Sequence, residues 1–489
     1  MKLTTLEELE DKVIGPIGTP ERNEYEAKLA AELHAYKISE AINMRKIIFS
    51  ILILCTLTIK AQTIDEQIAN AMNAGNWIEL DSIYNETPKD SIWDFFEVYS
   101  RCLIGNRLNR PDVSIPAFAE LLQNHSQELD INNLFASSLM YAMDLSKVGK
   151  NQDAADLLTN ILNATEQYLD SADVSVLQNQ VDLYCALAPY HPFSLTFQDE
   201  TATIPFSIIH SEPLSITNSE NNKGARLKLD SCLINGIDAD ITFDTGAAVN
   251  VISQAMADKL QLIPLQASMT AGGINEVNGT YVLAKEMKLG NLTVTDVPFV
   301  ILPLETGNEE ADKILTSYGI IIGVPFMLQM KDFTINFVNN EITIPANTPE
   351  RTHQKPNMCL SDGAIFSVKG SVLNEPTSMH IDTGNADYGA LGSQFYATHT
   401  DFVETHGKLE TIGRAGAGGV HKSDAYFVSD IPVELGGTTV IPTTLIVEKE
   451  DLSHIPALKF GCNIGLKTLM LFREVHFNLI DFVLSTQPR

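Results

Sequence analysis

The tripeptide Asp-Thr-Gly occurs twice, at Asp244-Thr245-Gly246 and at Asp382-Thr383-Gly384. Each copy closes a short apolar run, Ile241-Thr242-Phe243 in the first case and Met379-His380-Ile381 in the second. That pattern predicts a strand stopping at a tight turn that holds the aspartate at its tip. The surroundings repeat as well. Ile321-Ile322-Gly323 follows the first copy and Phe460-Gly461 the second, at the same interval from the aspartate. Within each interval lies a Leu-Gly turn, Leu289-Gly290 or Leu435-Gly436, followed by an apolar run with a proline. A repeated order of this kind implies an internal duplication.

Two such units related by a pseudo-twofold axis bring their aspartates together. Carboxylates about 3 Å apart do not both ionise easily, so they share a proton. The ionised member takes a proton from a water attacking a peptide carbonyl, and the protonated member donates to the carbonyl oxygen and later to the leaving nitrogen. The pair titrates as a unit, which leaves the individual roles open. Hydroxyls at Thr245 and Thr383 suit bonds across the axis. Gly246 and Gly384 let a backbone N–H approach a carboxylate with no Cβ in the way.

Phe243-Asp244-Thr245-Gly246-Ala247, Ile321-Ile322-Gly323-Val324-Pro325-Phe326, Ile381-Asp382-Thr383-Gly384 and Phe460-Gly461 resemble the retropepsin-like and pepsin-like aspartic proteases, over roughly Phe206 to Phe482. The resemblance implies an aspartic endopeptidase with catalytic Asp244 and Asp382. It implies supporting turns of Thr245, Gly246, Thr383, Gly384 and Asn385, and an apolar-Gly motif, Ile322-Gly323 and Phe460-Gly461, packed beneath them. It further implies two hairpin flaps, one near Gly272 and Gly273, the other near Gly416, Gly418 and Gly419. The substrate is then a peptide or protein in extended conformation, with no metal and no cofactor, and the chain works as a monomer because both halves lie in it. The second copy departs from the family at Asn385, where Ser, Thr or Ala is usual, and at Cys462-Asn463-Ile464-Gly465. An amide at 385 can still bond the outer carboxylate oxygen. His380 is read as structural, turned by strand alternation away from Asp382. The alternative reading is a non-catalytic peptide-binding protein that keeps the cleft and uses its helical repeats as partner surface.

The fold class expected is multi-domain: an all-α N-terminal part with tetratricopeptide-like helical hairpins, then a mainly-β, two-lobed aspartic-protease-like part. Residues 1–43 are charged and resemble the start of Xre-type helix-turn-helix antitoxins without the DNA-reading helices, so they read as an extraneous or fused segment. Met44-Arg45-Lys46, the apolar run Ile47–Ile59 and Ala61 form a signal-peptide pattern over 44–61, too short to span a bilayer. It implies export to the periplasm or beyond, provided that translation starts at Met44. From 62 to 190 the periodicity is helical, as at Ile64, Ile68 and Met72. Leu134 to Leu162 resembles a tetratricopeptide hairpin, a surface for a protein partner. Gly75-Asn76-Trp77, Gly105-Asn106-Arg107 and Gly149-Lys150-Asn151 are expected turns, and Trp77, Trp93, Phe95 and Phe96 expected core.

After Pro189-Tyr190-His191-Pro192 the pattern becomes that of strands, with lobes at 200–348 and 358–486 joined by a linker at 349–357. Asn235-Gly236 marks a two-residue hairpin. A formal charge of −29 argues against nucleic acid or an anionic membrane as partner. The six cysteines show no CxxC and no zinc spacing.

Overall fold

A computed structural model describes residues 62–210, 224–303, 305–361 and 364–489. The antitoxin-like segment and the signal-peptide pattern lie outside them. The described chain begins with a helical region and continues as a mainly-β region.

Seven α-helices make up the first part: α1 (Ile64–Asn73), α2 (Trp77–Glu86), α3 (Asp94–Arg107), α4 (Pro111–Asn124), α5 (Ile131–Lys147), α6 (Asn151–Thr165) and α7 (Ser171–Leu187). Several of their starts follow from capping chemistry. Thr63 and Glu66 form a reciprocal capping box on α1, and Asp130 and Asp170 accept backbone N–H groups at the starts of α5 and α7. Gly75 and Gly149 take positive φ between helices, as the turn reading requires. Gly105 behaves differently. It sits inside α3, where a Cβ would overlap the Ser114 backbone of α4, so this glycine serves close helix packing rather than a turn. Trp77 and Phe95 are buried, Phe96 is partly buried, and Trp93 is 52% exposed, with its ring against Phe95 and Phe96.

Each helix packs on the next, and the stack is fused to the β region at two places. Helices α2 and α3 contact the strand Met358–Ser361, and α7 packs along the strand Ile263–Gly272. Leu177, Val181, Tyr184 and Leu187 of α7 share one apolar core with Ala267, Ala271, Tyr281 and Leu283 of the β region.

The duplication is visible in the strand order. In the first copy Ile241–Phe243, leading to Asp244, pairs in parallel with Ile320–Ile322. That strand pairs antiparallel with Val251–Ile252, which runs parallel to Leu292–Ile301. In the second copy Glu375–Asp382 pairs in parallel with Cys462–Gly465, Cys462–Gly465 pairs antiparallel with Gly389–Leu391, and Gly389–Leu391 runs parallel to Leu445–Glu448. Both Leu-Gly turns are hairpin tips, with Gly290 and Gly436 at positive φ. Asn235-Gly236 turns with both residues at positive φ, the conformation that matches strand twist.

The copies are also stitched together. Asp332–Asn336, at the end of the first, pairs with Phe472–Asn478, at the end of the second, so one sheet runs beneath both. The segment 349–357 crosses between them without regular secondary structure. It is pinned where Asp481 accepts from Thr352 and His353, and where Asn357 pairs with Leu484.

Candidate active site

The two Asp-Thr-Gly turns meet at the junction of the copies. The Thr245 backbone N–H donates to Thr383 Oγ1 at 2.9 Å, and that of Thr383 to Thr245 Oγ1 at 3.0 Å. Each hydroxyl then donates to the carbonyl preceding the opposite aspartate, Thr245 to Ile381 at 2.8 Å and Thr383 to Phe243 at 2.7 Å. Both threonines are buried, which makes all four bonds hard to exchange for water. The glycines serve close approach. A Cβ on Gly246 would overlap the Asp382 carboxylate, and one on Gly384 that of Asp244.

Asp244 and Asp382 lie within hydrogen-bonding reach of each other. Burial, and then the neighbouring Asp382 charge, push the Asp244 carboxyl up to about 8, against the pull of the Gly246 and Gly384 N–H groups. A carboxyl so placed is protonated at neutral pH beside a second carboxylate, the arrangement that acid–base work on a bound water needs.

The second turn carries a polar chain that the first lacks. Asp382 Oδ1 accepts from the N–H groups of Gly384 at 3.0 Å and Asn385 at 2.9 Å. Its Oδ2 accepts from Asn463 Nδ2 at 2.9 Å, and Asn463 Oδ1 accepts from Asn385 Nδ2 at 2.9 Å. The amide that reaches the outer oxygen is thus Asn463, with Asn385 orienting it. His380 Nε2 lies 3.8 Å from the same Oδ2, and its ring stacks on Phe460. The expectation that His380 faces away fails because positions two apart along a strand share a face.

One motif assignment also changes. Ile322 pairs with Phe243, one residue before Asp244, so Gly323 is level with the first aspartate. In the second copy Gly465 is level with Asp382 and Ile464 with Ile381. The N–H after each glycine bonds the carbonyl three residues past the aspartate, Val324 to Ala247 and Leu466 to Asn385. Ile464-Gly465 is therefore the counterpart of Ile322-Gly323. Phe460 packs on His380 instead, and Gly461 accepts from the Gly392 N–H. The equal interval to Gly461 is a coincidence of loop lengths.

The glycines expected at the flaps are brought together. Gly272 and Gly273 sit at the tip between Ile263–Gly272 and Glu276–Leu289, and Gly416, Gly418 and Gly419 at the tip between Gly407–Gly416 and Gly419–Val428. The tips touch. Ile274 N–H donates to Ala417 O at 2.8 Å, and Asn275 Nδ2 to Gly418 O at 2.6 Å. Gly418 and Gly419 take positive φ in this turn.

Residues 231–326, from before the first aspartate turn through Gly323 and Phe326, match the family described as aspartyl protease. The first copy is aspartyl-protease-like. A retropepsin-like aspartic protease from Rickettsia conorii is similar at 12% identity, over 32% of this chain and 96% of that one, with a TM-score of 0.19, too slight to add to the argument. No curated protein matches. Among the described residues no helix is long and apolar enough to cross a membrane.

Proposed function

We propose that the chain is an aspartic endopeptidase whose one active site is made by both copies. The observation that carries this reading is the apposition of Asp244 and Asp382, locked by reciprocal threonine bonds, with one carboxyl pushed up to about 8. A water held between the pair attacks a peptide carbonyl, and the two carboxyls move its protons. The touching hairpin tips act as the flaps, opening to admit an extended peptide and closing over it.

The helical region, with its tetratricopeptide-like hairpins, is both a partner surface and a restraint on the first flap. The shared core of α7 and the strand Ile263–Gly272 supports the second role. Export through the 44–61 segment, with cleavage after Ala61, belongs to the same reading, and N-terminal sequencing of the mature protein tests it. The decisive test of the chemistry is cleavage of a peptide library by Asp244→Asn and Asp382→Asn. Each is expected to lose on the order of 10³-fold or more in kcat. Unchanged cleavage by either variant removes the reading.

A further inference from the structure

The duplication supplies its own control on the site, because every position around Asp382 has a mate around Asp244. The paired registers match His380 with Thr242 and Asn463 with Ile321, and the third residue past each aspartate is Asn385 or Ala247. The mates give Asp244 nothing comparable. Ile321 and Ala247 are apolar, and Thr242 Oγ1 is committed to Tyr318 O at 2.8 Å while accepting from Arg226. Two positions that are apolar around Asp244 are asparagines here and a committed threonine is replaced by a histidine; Asn463 and His380 face the Asp382 carboxylate, and Asn385 holds Asn463.

A hydrogen-bond donor aimed at a carboxylate favours its ionised form. Both carboxyls accept backbone N–H groups, and Asp382 in addition accepts from the Asn463 amide, whose other end is fixed by Asn385. Asn385 is held in turn by the Asp387 N–H at 3.0 Å. His380 Nδ1 lies 3.3 Å from Phe366 O, a carbonyl that can only accept, so that nitrogen carries the proton. A second proton on the ring goes to Nε2, the atom facing Asp382, and adds a positive charge beside it.

We propose that Asn463, oriented by Asn385, and His380 are positioning residues that hold Asp382 as the ionised member of the pair and leave the proton on Asp244. This assignment rests on the endopeptidase reading and gives its two carboxyls separate roles. Asp382 takes a proton from the attacking water as the oxygen bonds to the peptide carbon, and Asp244 gives its proton to the carbonyl oxygen. On collapse the protonated Asp382 delivers that proton to the leaving nitrogen as the C–N bond breaks. Asp244 recovers a proton from the diol hydroxyl, and both groups return to their starting state.

The other charged and titratable groups around the pair are already matched. Asp387 pairs with Lys467 at 3.0 Å, and Arg226 pairs with Asp240 at 3.0 Å. Tyr318 is pushed up to about 12 by burial and then by the Asp244 charge, so it stays neutral. Burial likewise holds Asp244 in its protonated form.

The test is a pH titration of the full chain carrying ¹³C-labelled aspartate, with the Asp382 carboxyl carbon assigned by its disappearance in Asp382→Asn. In Asn463→Leu and His380→Leu that carbon is expected to titrate about one pH unit higher than in the parent. In Asn385→Ala, which leaves every direct donor in place, it is expected to move in the same direction by less. The acid limb of kcat/KM for a cleaved peptide should move with it. An Asp382 carbon unmoved in all three folded variants, or a shift confined to Asp244, overturns the proposal. The NMR readout does not need turnover. A parent protein that cleaves no peptide therefore sinks the endopeptidase reading alone, and the titration still decides which carboxyl is held ionised.

Discussion

Thr245 and Thr383 each accept the other's backbone N–H and each donate to the carbonyl that precedes the other's aspartate. Four buried bonds therefore fix the distance between turns that lie far apart in sequence. Thr245→Val keeps the shape of the side chain and leaves the Thr383 N–H and the Ile381 carbonyl without this partner. Each stranded group costs about 1–3 kcal/mol. Urea denaturation is expected to show a loss of that order or more, with most of the stability restored in Thr245→Ser.

Asp244 makes stability depend on pH. Its folded value of about 8 lies above the ordinary aspartate value of 3.8, so the folded state binds this proton more tightly than the unfolded chain. Its contribution is complete below the unfolded value, declines as pH rises from about 4, and is gone above about 8. Unfolding midpoints across that window should fall with pH in the parent and fall less steeply in Asp244→Asn.

The hairpin tips offer a separate test. Asn275→Ala removes the side-chain bond to Gly418 O, and the Ala417 carbonyl keeps its backbone partners. Amide exchange at 272–276 and 416–419 is expected to accelerate while exchange in the strands below is unchanged.

Helix α7 should report on the first flap. Leu177 is fully buried in the core that α7 shares with the hairpin strands. Leu177→Ala opens a cavity there, with an expected cost of about 2–5 kcal/mol. Faster amide exchange along Ile263–Gly272, beyond the helix itself, is the expected sign that the helices restrain this flap.

What could be read in the sequence was local. The aspartate turns, the Leu-Gly hairpins, Asn235-Gly236 and the two glycine-rich hairpin tips all depend on the conformational demands of neighbouring residues, which composition reveals directly. Pairing between distant strands left weaker marks. The interval from the aspartate points to Gly461 as the mate of Gly323, but hydrogen-bond register decides equivalence and selects Gly465. The Asn-Ile-Gly run at 463–465 was present as a signal, with the apolar residue and glycine in the same order as Ile322-Gly323. Gly105 reads as a turn because a glycine that admits a neighbouring helix looks the same in sequence. The packing of α7 on the strand Ile263–Gly272 leaves no mark at all, since an apolar helix face does not name its partner.

In the proposed endopeptidase, two copies in one chain make one proton-sharing pair. Its most direct test is cleavage of one peptide substrate by the parent, by Asp244→Asn, by Asp382→Asn and by an equimolar mixture of the two variants. The parent is expected to cut, each variant to be inactive, and the mixture to be inactive too, because each chain needs both of its own aspartates. Cleavage restored in the mixture, or retained by either variant alone, would contradict it.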